Sequence, residues 1–301
     1  MKKIFAFVFA MFICQFVFAQ SDESLYVTQW HEIDSLIVEK NLPKSALEKV
    51  NALYTDAKSK KMDDEIIKAL LYKLSLVDQT TEQDVNYQYK LFSDELSTTS
   101  NTIAKSILQV LLADNLNDYY NQNFWKNSNR KETIAFKEAD ITTWSNQQLL
   151  STIDSLFEQS LLPAKELQQT SIEKFTAIII KGNTPGTRPT LFDIIAHEAL
   201  DYYETGMRYI TEPEYAFQLT DPTCLATAKI FMSYNFSSKD SSSHLLKALH
   251  LFQQLMQFHK NDIDPTAFID INIERIQWAY NRTNFDNHES LYQKALEDPR
   301  L

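Results

Sequence analysis

Three glycines, Gly182, Gly186 and Gly206, serve a chain of 301 residues. An all-β protein of this size needs many more, because tight hairpin turns demand positive φ. The scarcity points to helices joined by short connections. Apolar residues recur at helical spacing in agreement with it. Leu47, Val50, Tyr54 and Ala57 step by three and four, as do Ile67, Leu70, Leu71, Leu74 and Val77. The segment 244–258 repeats the pattern with Leu245, Leu249, Phe252, Leu255 and Met256.

Breakers divide these stretches. "NLPKS" (41–45) separates a helix near 25–39 from one near 44–60, and the acids of "KKMDDE" (60–65) favour the start of the next. The pattern predicts further helices near 82–96, 101–122, 144–160, 171–180, 190–204, 223–233, 243–259, 265–280 and 288–297. Short turns between consecutive helices imply antiparallel pairs, stacked as an α-solenoid, a TPR-like array or a helical bundle. The expected fold class is therefore all-α. The polar stretch from Asn121 to Asp140 interrupts the regularity and suggests two lobes, 20–125 and 140–301, within a helical domain spanning 20–301.

The first residues, "MKKIFAFVFAMFICQFVFAQ", read as a secretory signal peptide of residues 1–19. Lys2 and Lys3 form the basic start, an apolar run follows, and Val17 and Ala19 place small residues before a cleavage site at Gln20. The run is short for a bilayer span. Export to the periplasm, cell surface or medium is expected, without stable membrane insertion after cleavage. Losing the two lysines makes a formal charge of −11 still more negative. So acidic a chain repels nucleic acid and anionic lipid. Of the two cysteines only Cys224 lies beyond the signal segment, so no internal disulfide is expected.

The stretch with the most chemistry is "HEALD" (197–201), a near-miss to the His-Glu-x-x-His of zinc proteases. Thr190 is the expected N-cap of its helix, with Asp193 three residues later. At about 100° per residue, Leu191, Ile195, Glu198 and Tyr202 share one face, and Asp193, His197 and Asp201 line another. A zinc site needs at least three converging ligands, and no second histidine completes this motif. His244, His250, His259 and His288 lie far away in sequence. The expectation is an imidazole flanked by carboxylates on a structural helix, with no metal, no cofactor and no catalytic residue.

Four other segments carry weaker signals. Cys224 could be a nucleophile, but its neighbours are acidic and apolar, so a buried structural thiol is expected. "NDYYNQNFWKNSNRKETIAF" (117–136) could stack on sugars through its aromatics, or simply pack into a neighbouring helix. "KGNTPGTRPT" (181–190) could hold an anion at a helix start, but it lacks a phosphate-loop pattern and reads as a tight connection. "HLLKALHLFQQLMQFH" (244–259) spaces its imidazoles six and nine apart, which sends them in different directions, as in a core helix.

Longer blocks add a family likeness. "WHEIDSLIVEKNLPKSALEKVNALYTDAKSKK" (30–61), "EIIKALLYKLSL" (65–76), "YYNQNFWKNSNRKETIAF" (119–136), "DITTW" (140–144) and "GNTPGTRPTLFDIIAHEALDYY" (182–203) resemble the N-terminal helical region of large bacterial alpha-2-macroglobulin-like secreted proteins. The resemblance implies a multidomain parent whose later β-sandwich domains trap or inhibit proteases. The family's thioester run, Gly-Cys-Gly-Glu-Gln, is not matched at Cys224, and no functional residue is carried over. The expected role is a non-enzymatic exported scaffold or interaction module, with macroglobulin-like domains or an envelope protein as partner. One rival is a stand-alone helical-repeat protein binding peptides or glycans at the envelope. The other is a metallohydrolase built on His197, Glu198 and Asp201.

Overall fold

A computed structural model describes residues 25–80, 85–128, 130, 139–175, 178–179, 182–184, 186–205 and 214–297. The expected signal segment lies outside the described residues. Within them the fold is all-α. Their only extended pairing is an isolated antiparallel bridge between Ser171 and Thr190. No helix among the described residues is long and apolar enough to cross a membrane. The chain divides into two compact units, residues 1–91 and 92–301.

The first unit holds α1 (25–38), α2 (Pro43–Lys60), α3 (Asp63–Thr80) and the start of α4 (Val85–Thr98). Pro43 occupies the first turn of α2, where a missing N–H costs nothing. Lys61 ends that helix in the left-handed region, and its amide is bonded to the Ala57 and Lys58 carbonyls. Asp63, Asp64 and Glu65 then place negative charge at the positive end of α3. With so short a turn, α3 folds back along α2 and the two helices pack together. The buried stripe of α2 is Ala46, Val50, Leu53 and Ala57. It lies slightly to one side of the stripe the spacing suggested, and Leu47 and Tyr54 sit on its flank. Three charge-assisted hydrogen bonds fasten α1: Tyr26 to Asp56 and Trp30 to Glu65, each 2.6 Å, and Tyr72 to Asp34, 2.7 Å.

In the second unit, α5 (Thr102–Asn127) starts at Asn101, whose side chain accepts from the amides of Ile103 and Ala104. It packs against α6 (Asn146–Ser160), which opens with a full capping box between Ser145 and Gln148. The polar stretch expected to separate a pair of lobes thus lies between two helices of one unit. α5 runs into that stretch as far as Asn127. Of the helix expected at 171–180, residues 176, 177 and 180 lie outside the described residues, and the described part holds a 3-10 turn, Ile172–Phe175, preceded by a short helix, α7 (Ala164–Gln168). Here the backbone of Ser171 pairs with Thr190, and the Leu191 amide donates to the Thr170 carbonyl at 2.8 Å. The isoleucines of 178–180 favour a helix only weakly.

The helix of interest, α8 (Leu191–Thr205), packs on α5, α6, α7 and α10 (His244–His259). The expected helix at 223–233 splits into a 3-10 turn, Pro222–Leu225, and α9 (Ala228–Ser233). The last helices are α11 (Thr266–Arg282) and α12 (His288–Glu297). α10 packs on both α8 and α11, so it fixes the spacing between them. Its apolar residues Leu249, Phe252, Leu255 and Met256 are fully buried, as a helix contacted from several sides requires.

Candidate functional site

Asp193 and His197 face inward from α8, at 0% and 2% exposure, whereas Asp201, one turn further on, is exposed. The shared stripe therefore runs from the interior at its first two residues to the surface at its third. The Asp193 carboxylate accepts from the Thr190 amide and hydroxyl, both at 2.8 Å, which closes the N-terminus of α8. Its other oxygen meets His259 Nε2 at 2.7 Å, and Asp262 meets His259 Nδ1 at 2.7 Å. Burial opposes a charge on His259, but the hydrogen bonds to Asp193 and Asp262 outweigh it and raise its pKa above the ordinary value.

His197 Nδ1 lies 2.6 Å from the Asp193 carbonyl oxygen. A carbonyl only accepts, so Nδ1 carries the proton of this bond. The second ring nitrogen, Nε2, is buried and makes no hydrogen bond. It points at Glu274 of α11, with 3.5 Å to Oε2. Asp270 stands one turn before Glu274 on the same helix. The ligand atoms of His197, Asp270 and Glu274 all lie within 4.8 Å of one another. The group around His197 is completed from α11, not by the Glu198 and Asp201 of the sequence near-motif. Three further histidines serve separate tasks. His244 binds Asp154 at 2.9 Å, His250 binds the Phe236 carbonyl and His288 the Phe285 carbonyl.

The surroundings are acidic. Burial, then the charges of Glu198, Asp118 and Asp201, push the Asp114 carboxyl up to about 7. Burial and then Glu274 push Glu204 to about 7; the same two causes raise Asp270, and partial desolvation followed by Glu274 raises Asp201 although its side chain reaches the surface. Burial and Asp201 raise Glu198. Arg188 offsets part of the charge on Glu198, Asp201 and Asp270, and Arg282 part of that on Glu204. Gly186, at φ +91°, turns the chain just ahead of Arg188 and approaches Asp264 and Thr266 at the start of α11.

These shifts set a pH dependence. Folded Asp114 holds its proton from its ordinary 3.8 up to about 7, so the folded state binds more protons there and stability falls as pH rises. The raised His259 acts in the same direction, since its stabilisation is lost as pH climbs through its folded value. Between pH 5 and pH 8 the unfolding free energy is expected to drop by about 2–3 kcal/mol from Asp114 alone. Urea titrations at the two pH values check this, and a flat or rising profile would refute it.

The remaining sequence candidates lie apart from this group. Cys224 is buried, and burial pushes its thiol up to about 12, too high for a nucleophile near neutrality. In the aromatic segment Tyr119 and Tyr120 are buried, and Trp125 is exposed. Asp270 and Glu274 escaped sequence reasoning. Their only signal was an Asp-x-x-x-Glu spacing on an amphipathic helix, which is common without a ligand.

No family model matches the chain, and no curated protein or solved structure matches it either.

Proposed function

We propose that the chain is a non-enzymatic, exported helical interaction module that works with an alpha-2-macroglobulin-like protein, the full-length parent acting in protease trapping. The observation that carries this reading is where the family-like blocks fall in the fold. Blocks 30–61 and 65–76 lie in the first unit, and blocks 119–136, 140–144 and 182–203 belong to the second. Arg130 of block 119–136 donates to the carbonyls of Thr142 and Trp144 in block 140–144. Block 182–203 supplies most of α8, which packs on α5. Likeness spread over residues that build the cores of both units is what a shared scaffold leaves in sequence, where a shared chemistry would leave a motif. The amphipathic helices hold their apolar stripes buried and so offer a persistent surface to a partner.

Affinity capture of the exported chain from its own cell envelope is expected to recover a macroglobulin-like protein in stoichiometric amount. The chain alone, in molar excess, should leave a general endoprotease unaffected. Dose-dependent inhibition with a slow phase would place protease trapping in this chain and overturn the reading.

One feature favours a second reading, a stand-alone receptor for peptides or glycans. An open cleft of about 610 Å³ is lined by Gln168, Gln253, Gln254 and Gln257, with Phe192 and Phe258 beside them. Amides next to aromatic rings suit a peptide backbone or a sugar. Saturable binding of an envelope glycan or peptide, lost in Gln254→Ala, would favour it.

A further inference from the structure

We infer that His197, Asp270 and Glu274 form a binding site for one divalent transition-metal ion, of the zinc class, between α8 and α11. Two independent observations meet here. The first is the geometry of the donors, all within 4.8 Å of one another. Ligands held at 2.0–2.2 Å from a tetrahedral metal stand about 3.4 Å apart. His197 Nε2 and Glu274 Oε2 are 3.5 Å apart, close to that spacing without adjustment. Asp270 and Glu274, at i and i+4, project from one face of α11, where a partly open carboxylate can swing by a rotamer to close the set.

The second observation is the imidazole itself. Its Nε2 is buried without a hydrogen-bond partner and faces Glu274 at 3.5 Å, with Asp270 within the same 4.8 Å group. Buried polar atoms are rarely left so. Nδ1 spends a proton on the Asp193 carbonyl, so the neutral form of the ring presents its lone pair at Nε2, on the side of Glu274. That is the arrangement of a metal-ligating histidine, whose other nitrogen donates to a carbonyl or carboxylate that fixes ring and tautomer. Asp193 is itself immobilised by Thr190 and His259, so the ring is held from behind by a braced residue.

Nitrogen in the set selects against calcium and magnesium, which prefer oxygen alone, and in favour of zinc and its neighbours. Three protein donors leave at least one position for water, and the flanking Glu198 and Asp201 add negative potential around the ion. In an interaction module such an ion would tie α8 to α11. This site does not depend on the macroglobulin reading.

The test is calorimetric titration of zinc chloride into untagged, chelator-stripped protein, with a thermal melt of each sample. One zinc per chain and a higher melting temperature are expected. Glu274→Gln and Asp270→Asn should each weaken zinc binding at least roughly tenfold, and His197→Ala should abolish it. His250→Ala, at a histidine already bound to a backbone carbonyl, should bind zinc as the parent does. Cobalt(II) in place of zinc should show the visible bands of a low-coordinate nitrogen–oxygen site. If His197→Ala fails to fold, the two α11 variants decide, because those side chains are less buried. Absence of saturable zinc binding would overturn the inference, as would binding that both α11 variants leave intact. Calcium binding of equal strength that survives in His197→Ala would overturn the ligand class.

Discussion

Arg275→Ala will destabilise the protein by about 3–5 kcal/mol and expose the Cys224 thiol to alkylation. Arg275 is fully buried in α11. One guanidinium nitrogen donates to the Cys224 carbonyl at 2.8 Å and to the Ala226 carbonyl at 3.0 Å, and the other donates to the Asn272 side-chain oxygen. The cation also lies over the Phe231 ring, 4.5 Å from its centre. No carboxylate takes part in these contacts, so burial lowers the arginine pKa to about 9. Dipoles and a ring face must replace the water the group lost.

Removing the side chain leaves the buried Cys224 carbonyl and the part-buried Ala226 carbonyl without this donor and opens a cavity under the Pro222–Leu225 turn. That second penalty is why alanine should cost more than methionine, which fills most of the volume. Urea midpoints of the parent, Arg275→Met and Arg275→Ala give the order. The rate of Cys224 alkylation in native buffer reports whether the turn has come away from α11. A loss below about 1 kcal/mol together with an unchanged alkylation rate would mean that Arg275 does not hold the turn.

Asp193→Ala is expected to cost a similar amount, about 3–5 kcal/mol, because it removes one partner of a buried ion pair. The carboxylate is fully buried and bonded to His259, to the Thr190 hydroxyl and to the Thr190 amide. Without it His259 keeps only Asp262, which is partly exposed, and the helix start loses its acceptor. Asp193→Asn retains an acceptor for the cap but no negative charge, so an intermediate loss is expected. The double variant Asp193→Ala/His259→Leu removes the stranded imidazole as well. It should be more stable than the sum of its single changes predicts, by at least about 1 kcal/mol. Strict additivity in that cycle would show that the two residues do not depend on each other.

Much of the second unit was legible from spacing alone. α8, α10 and α12 begin and end within a residue or so of where the apolar pattern placed them. Their ends are set by local chemistry, such as Ser243 accepting from the Leu246 amide at the start of α10. Where sequence reading failed, at 171–180 and 223–233, distant groups had taken over the backbone. Thr190 pairs with Ser171, and Arg275 claims the Cys224 and Ala226 carbonyls. Local propensity cannot anticipate a partner some twenty or fifty residues away.

The candidate site divides along the same line. Sequence alone determined that His197 lies on a helix with Asp193 one turn before it, because 3.6 residues per turn fix which side chains share a face. Scarce glycine and the periodic apolar residues likewise determined that the fold is all-α. Neither could say which face of α8 turns inward, or which helix meets it. Only the packing of α8 and α11 on α10 decided that, burying His197 and exposing Asp201. It brought Asp270 and Glu274 to the imidazole from more than seventy residues along the chain. Helical periodicity is a property of neighbours in sequence, whereas the convergence of three donors depends on how whole helices bury their apolar stripes.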